Sequence, residues 1–185
     1  MIELSTAVLF CGVLINLVWH SARLGMSPTP SSGKALRAID KLLGTYNQAE
    51  RVIDLGSGWG TLVIILARKY PDLKFIGYEY SLFPMLWARL FCRIMNIKNC
   101  RIVRQNFYTI PIDREATLLC YLSPVLMTKL REKLLSENCS ATLIISNTFG
   151  IRNWEPIHEI RLNDMFDNRV YAYRTNPELV SKTAN

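Results

Sequence analysis

The sequence predicts an α/β fold: a mainly parallel sheet with helices on both faces and an antiparallel edge at the end of the chain. Three observations carry this. From about residue 34 to residue 146, short apolar runs alternate with longer runs of helical periodicity. A glycine-rich turn, Gly56-Ser57-Gly58-Trp59-Gly60, joins the first of the short runs to the next helix. Near the end, Ile157 to Leu162 and Val170 to Tyr173 read as paired strands joined by an Asn/Asp-rich turn.

The elements follow in order. Leu4 to Ala22 contains no acid or strong base, and all 22 Lys and Arg lie at or beyond Arg23. As a helix this run would reach roughly 28 Å, close to the roughly 30 Å of a bilayer's hydrocarbon core. A cleaved signal peptide fits poorly, because no Lys or Arg precedes the run and Trp19 and His20 crowd the cleavage position. Residues 1–23 are therefore expected to form a single-pass membrane anchor. Arg23, Lys34, Arg37 and Lys41 follow it, which puts the body of the protein on the cytoplasmic side. The alternative is a helix packed on the domain, since Ser5, Thr6 and Asn16 dilute the run.

Residues 24–33 form a Pro/Ser/Gly linker that Pro28 and Pro30 keep extended. Residues 34–185 are expected to form one domain. Ser31 or Ser32 caps a helix over Lys34 to Leu43, with Ala35, Leu36, Ile39, Leu42 and Leu43 on one face. Arg51 to Leu55 is a strand, Thr61 to Lys69 a helix and Lys74 to Tyr78 a second strand. A helix from about Leu82 to Met95 carries Pro84 in its tolerated first turn. Ile102 to Val103 seeds a third strand and Ala116 to Tyr121 a fourth. Pro124 opens a helix through Leu135, and Ala141 to Ser146 is a fifth strand.

With 50% hydrophobic and 20% charged residues, the chain is neither disordered nor polytopic. Five cysteines without a CxxC pair point to reduced thiols, with no disulfide scaffold and no metal site. The net charge of +7 favours anionic surroundings without naming them.

The chemistry gathers at the end of the first strand, Val52-Ile53-Asp54-Leu55-Gly56-Ser57-Gly58-Trp59-Gly60. Ligands bind at such a place in open α/β sheets, where backbone amides approach without a Cβ in the way. A dinucleotide site also uses G-x-G-x-x-G, but here the sixth position is Thr61 instead of a small residue. Asp54 would also stand unfavourably beside a pyrophosphate. It suits an ammonium, and S-adenosylmethionine carries an ammonium and a sulfonium and no phosphate. Glu79, 23 residues beyond Gly56, stands where a carboxylate can take both ribose hydroxyls.

These motifs resemble those of class I S-adenosylmethionine-dependent methyltransferases. From about Pro28 to Tyr173 the chain is similar to the membrane-associated lysine methyltransferases of the ATP synthase c-ring protein and the adenine nucleotide translocase. Pro28-Thr29-Pro30, Val52 to Gly60, Ile76-Gly77-Tyr78-Glu79, Met85 to Leu90, Met127 to Leu134, Trp154-Glu155-Pro156 and Val170 to Tyr173 carry the likeness. The resemblance implies a Rossmann-like seven-strand sheet, mostly parallel with an antiparallel last strand. It implies a cofactor site of Asp54, Gly56, Ser57, Gly58, Gly60, Glu79, Tyr80, Asn106 and Phe107, and a membrane-associated protein as acceptor. Asn106 stands where the family has an Asp, and Gly58-Trp59-Gly60-Thr61 lacks the loop charges usual there.

The fourth strand ends in Tyr121-Leu122-Ser123-Pro124, without the Asn/Asp-Pro-Pro-Tyr that clamps a flipped base, so no nucleic-acid acceptor is expected. Tyr121, Ser123 and Pro124 are read as groups that orient an acceptor amine, with core packing the alternative for Tyr121. A small or lipophilic acceptor and a non-catalytic cofactor-binding scaffold are the competing readings, with a nicotinamide oxidoreductase further off. His20 and His158 have no dyad partner in view. The helix from Leu82 admits two readings, a core helix with a narrow solvated strip at Arg89 and Arg93, or a face against anionic headgroups.

Overall fold

The computed structural model describes residues 32–139 and 143–175. The expected anchor, most of the linker and the first residues of the expected fifth strand lie outside them. The elements are α1 (Gly33–Tyr46), β1 (Arg51–Leu55), α2 (Thr61–Lys69), β2 (Lys74–Glu79), α3 (Leu82–Ile94) and β3 (Cys100–Arg104). A 3-10 turn (Phe107–Thr109) leads to β4 (Ala116–Cys120), α4 (Pro124–Ser136), β5 (Leu143–Asn147), β6 (His158–Arg161) and β7 (Arg169–Arg174). Among the described residues no helix is long and apolar enough to cross a membrane.

The seven strands form one sheet in the order β3-β2-β1-β4-β5-β7-β6. β1 to β5 run parallel, and β7 lies antiparallel between β5 and β6. The expected mostly parallel sheet with an antiparallel last strand is what forms. Its central strands are buried: all five residues of β4 and of β5 are inaccessible, Thr117, Ser146 and Asn147 among them, as covering on both faces requires.

The covering is uneven. On one face α1, α2 and α3 pack through Ile39, Leu42, Leu43, Val63, Leu66 and Met85. On the other, α4 is the one described helix, packing through Met127, Leu130 and Leu134 beside Trp154 and Tyr173. α1 begins as expected, with Ser32 Oγ accepting the Ala35 amide at 3.2 Å. Lys34 Nζ donates to Asn163 O at 2.7 Å, so the chain enters α1 beside the β6–β7 turn. That turn lies at the carboxyl edge of the parallel strands, where ligands bind in such sheets.

α2 starts at Gly60, whose φ of +74° is left-handed. A Cβ there would stand 2.8 Å from Ala88 Cβ on α3. This glycine holds two helices in close contact, a job the dinucleotide pattern gives to its sixth position. Gly60→Ala is expected to destabilise the fold by about 1–3 kcal/mol, from backbone strain plus the clash. Urea melts of the two proteins measure it, and a loss under about 0.5 kcal/mol would mean that the two helices separate freely at this point.

One sequence expectation needs correcting. α3 is no core helix with a narrow solvated strip. It buries only Pro84, Met85, Ala88 and Cys92, because α2 and the sheet reach only one side of it. Phe83 is half-buried, and Leu82, Leu86, Trp87, Leu90, Phe91 and Ile94 are exposed.

Candidate functional site

The chain runs from β1 outward to β3, then returns to β4 on the other side of β1. The two crossovers diverge at the carboxyl ends of β1 and β4, and this opens a crevice. The turn after β1 lines it. Gly56 and Ser57 both donate their amides to Tyr78 O at 2.9 Å, and Gly60 donates to Ser57 O at 2.8 Å. Gly56, Gly58 and Gly60 all have φ between +54° and +80°, which other residues adopt only under strain. At Gly58 an added Cβ would meet nothing within 4 Å, so the turn's crest faces open space. At Gly56 it would meet Leu122 Cδ2 at 3.4 Å, across the crevice.

Glu79 ends β2 and organises this turn. Its Oε2 accepts the Gly58 amide at 2.8 Å and its Oε1 the Ser81 amide at 2.7 Å. A carboxylate has about four lone-pair positions, so two stay available to a ligand. Asp54 is 4% exposed and pairs in register with Gly77. Its carboxylate receives no hydrogen bond from the described residues. Burial, and then the neighbouring Glu79 charge, push its pKa up to about 7. Ser57 Oγ is likewise buried without a hydrogen-bond partner. Two buried carboxylates and an orphaned hydroxyl around an open glycine crest suit a ligand that brings a cation and hydroxyl donors.

Gly77 stands in the Ile76-Gly77-Tyr78-Glu79 block, but the sequence alone gives it no role. A Cβ there would lie 2.7 Å from Ser57 Oγ and 2.8 Å from Ile102 Cδ1. The bare strand lets the turn settle onto β2. A glycine inside a strand is the available signal, since it often marks such a close approach.

The other expected residues stand along the same edge. Tyr121 follows β4, half-buried, and its ring stacks on Phe149 beyond β5 at 6.3 Å and 10°. Ser123 is buried and precedes α4 without capping it through its side chain, and Pro124 takes the first helical turn. Asn106 Oδ1 accepts the Tyr108 amide at 3.0 Å and so caps the 3-10 turn. The Phe107 ring packs on Tyr108 at 4.2 Å. Tyr80 is exposed, and its carbonyl accepts from Arg104 Nε at 3.3 Å. His158 Nδ1 lies 3.0 Å from the Tyr46 hydroxyl on the surface, away from this crevice. A cleft of about 250 Å³ lined by Tyr46, Arg114, Thr117 and Arg174 lies at the opposite, amino edge of the sheet.

This strand order, with a glycine turn after β1 and acids in β1 and at the end of β2, defines a class I S-adenosylmethionine-dependent methyltransferase. The ANTKMT methyltransferase domain matches residues 54–158, more than half of the chain, and the chain belongs to that family. It is 28% identical over 153 residues to a protein-lysine N-methyltransferase of Saccharolobus islandicus (strain REY15A), across 79% of this chain and 90% of that one. It is 26% identical over 137 residues to the lysine N-methyltransferase of Xenopus laevis that is named for the C-subunit of ATP synthase. That match covers 74% of this chain and 59% of the Xenopus protein. Among solved structures, an RNA methyltransferase from Salinibacter ruber with bound S-adenosylhomocysteine shares the fold. Its TM-score is 0.67 at 24% identity, covering 80% of this chain and 94% of that one.

Proposed function

We propose that this protein methylates a lysine side chain of a membrane-associated protein, with the N-terminal segment holding it at the membrane. The observation that carries the lysine reading is the likeness to a protein-lysine methyltransferase over nine-tenths of that relative's length. The end of β4 agrees with it. Tyr121, Ser123 and the Phe149 ring offer aromatic faces and a hydroxyl, without the Asn/Asp-Pro-Pro-Tyr that a base-modifying site uses.

When bound, S-adenosylmethionine would supply a methyl group on a sulfonium: a neutral amine bonds to the methyl carbon, the C–S bond breaks with its electron pair leaving on S-adenosylhomocysteine, and the new ammonium sheds its proton to solvent without a strong protein base. Asp54 would face the ammonium of the cofactor, Glu79 would take its ribose hydroxyls, and Gly58 would leave room for it. Asn106 and Phe107 would hold the adenine. Tyr121, Ser123 and Pro124 align a neutral amine in a site from which water is excluded. The acceptor test is chemical. Membranes whose lysines have been acetylated should lose nearly all capacity to accept methyl groups, and undiminished labelling would sink the lysine reading.

The raised pKa of Asp54 gives a signed expectation. Below about pH 7 the carboxyl is protonated in the free protein and must release its proton to face an ammonium. Affinity for S-adenosylmethionine should therefore rise with pH, and be roughly tenfold weaker at about pH 6 than at about pH 8. Calorimetry in buffers of different ionisation enthalpy should show about one proton released at the lower pH. Stability of the free protein should move the other way. This group's folded pKa lies above its unfolded value, so its contribution is present below about 3.8 and lost as pH rises through about 7.

Tethering makes a separate expectation. The full chain should sediment with membranes and resist high salt, which removes proteins held by basic patches alone. A chain starting near Gly25 should be soluble and still bind the cofactor, but should methylate a membrane-embedded acceptor less well. A full chain that is soluble and monomeric without detergent would sink the anchor.

A further inference from the structure

The outer side of α3 is apolar, and none of the described residues covers it. Leu82, Leu86, Trp87, Leu90, Phe91 and Ile94 are all exposed, from 40% at Leu82 to 69% at Ile94. Their spacing places them together on the half of the helix opposite buried Met85, Ala88 and Cys92. The stripe continues into the cofactor turn. Trp59 meets Trp87 edge to face at 6.4 Å, and Trp87 stacks on Phe91 at 6.1 Å. Soluble domains seldom leave so continuous an apolar stretch open unless something docks there.

The surrounding charge says what docks. From Tyr80 to Ile112 the sequence has Arg89, Arg93, Lys98, Arg101 and Arg104 and no Asp or Glu. None of the five pairs with an acid among the described residues. Arg89 and Arg93 border the stripe on the side toward β3, where Arg89 Nε donates to Ile102 O at 2.8 Å. β3 is the edge strand, and Arg104 projects from it on the α3 face with buried Ile102. Arg101 projects from the other face, and Lys98 stands in the loop before β3.

Three occupants compete for this surface, and charge separates them. The uncharged run Leu4 to Ala22 would cover the stripe but leave the cations without a complement. A second copy would bring the same cations against them. An anionic bilayer surface meets both needs: apolar side chains enter the interface, tryptophans sit at headgroup level and the basic rim meets lipid phosphates and carboxylates. We propose that the exposed face of α3, with Trp59 at its upper end, lies in the interfacial layer of an anionic membrane. This contact is separate from any made by the N-terminal segment, and it brings the cofactor turn to the lipid surface.

The tryptophans supply the test. The full chain carries Trp19, Trp59, Trp87 and Trp154, of which Trp154 is buried. In a Trp19→Phe variant, phosphatidylcholine vesicles with about one quarter phosphatidylserine and brominated acyl chains should quench emission by about half. Removing Trp59 and Trp87 as well should leave only weak quenching. Ile94→Glu in the Trp19→Phe chain should reduce quenching at least about twofold, and it alters a side chain that packs against nothing in the core. Equal quenching with and without Trp59 and Trp87, or in vesicles lacking phosphatidylserine, would overturn the proposal. So would absent quenching, whether the stripe proves to be covered by the N-terminal segment or by a second copy, which sedimentation would reveal.

Discussion

Replacing Glu79 by alanine is expected to weaken S-adenosylmethionine binding by at least about tenfold. Two losses combine. In the proposed binding mode the ribose hydroxyls would lose a carboxylate acceptor, and hydrogen bonds to charged groups contribute roughly 1.5–3 kcal/mol each before compensation. The Gly58 and Ser81 amides lose their acceptor too, so the turn is no longer held open in its binding shape. About 1.4 kcal/mol already makes a tenfold change, and the ribose contacts alone exceed that. Glu79→Gln separates the two effects. It keeps an acceptor for one amide but lacks the charge, so its affinity should fall between those of wild type and the alanine variant. Calorimetry showing unchanged affinity in the alanine variant would remove Glu79 from the cofactor site.

The second large effect is expected at Gly58. Its φ of +54° is unfavourable for valine, and the space a side chain would enter is the open space above the turn. Gly58→Val should abolish cofactor binding while the melting transition stays cooperative, because a Cβ added here meets nothing within 4 Å. Normal binding by this variant would reduce the turn to a tight connection. Gly60 behaves differently, since substitution there is expected to act on stability through α3.

Much of this site can be read from sequence, for a physical reason. Asp54, the three glycines and Glu79 are set by local chain geometry: a strand, a turn that needs positive φ, and a carboxylate ending the next strand. The helix face of α1 is legible in the same way, because Ala35, Ile39, Leu42 and Leu43 repeat with the helical period and are all buried. What escapes the sequence depends on registers and neighbours. The role of Gly77 follows from which turn lies above β2, and that of Gly60 from the position of Ala88. The stacking of Tyr121 on Phe149 joins residues 28 positions apart in sequence, just past the ends of the adjacent strands β4 and β5. For α3 the difficulty is different. A helix apolar nearly all round has no polar side to mark its exposed half, so only the position of the sheet and α2 decides which half is covered.

The measurement that bears most directly on lysine methylation at the membrane is the fate of a radiolabelled methyl group. Purified full-length protein and S-adenosylmethionine labelled in that methyl are incubated with membranes from cells lacking the protein. The products are then separated into protein, lipid and RNA. Label is expected in membrane protein, recovered as methyl-lysine after acid hydrolysis, and lost with Glu79→Ala at limiting cofactor. Label confined to the lipid or RNA fraction, or no transfer to any fraction by protein that binds the cofactor, would contradict that function.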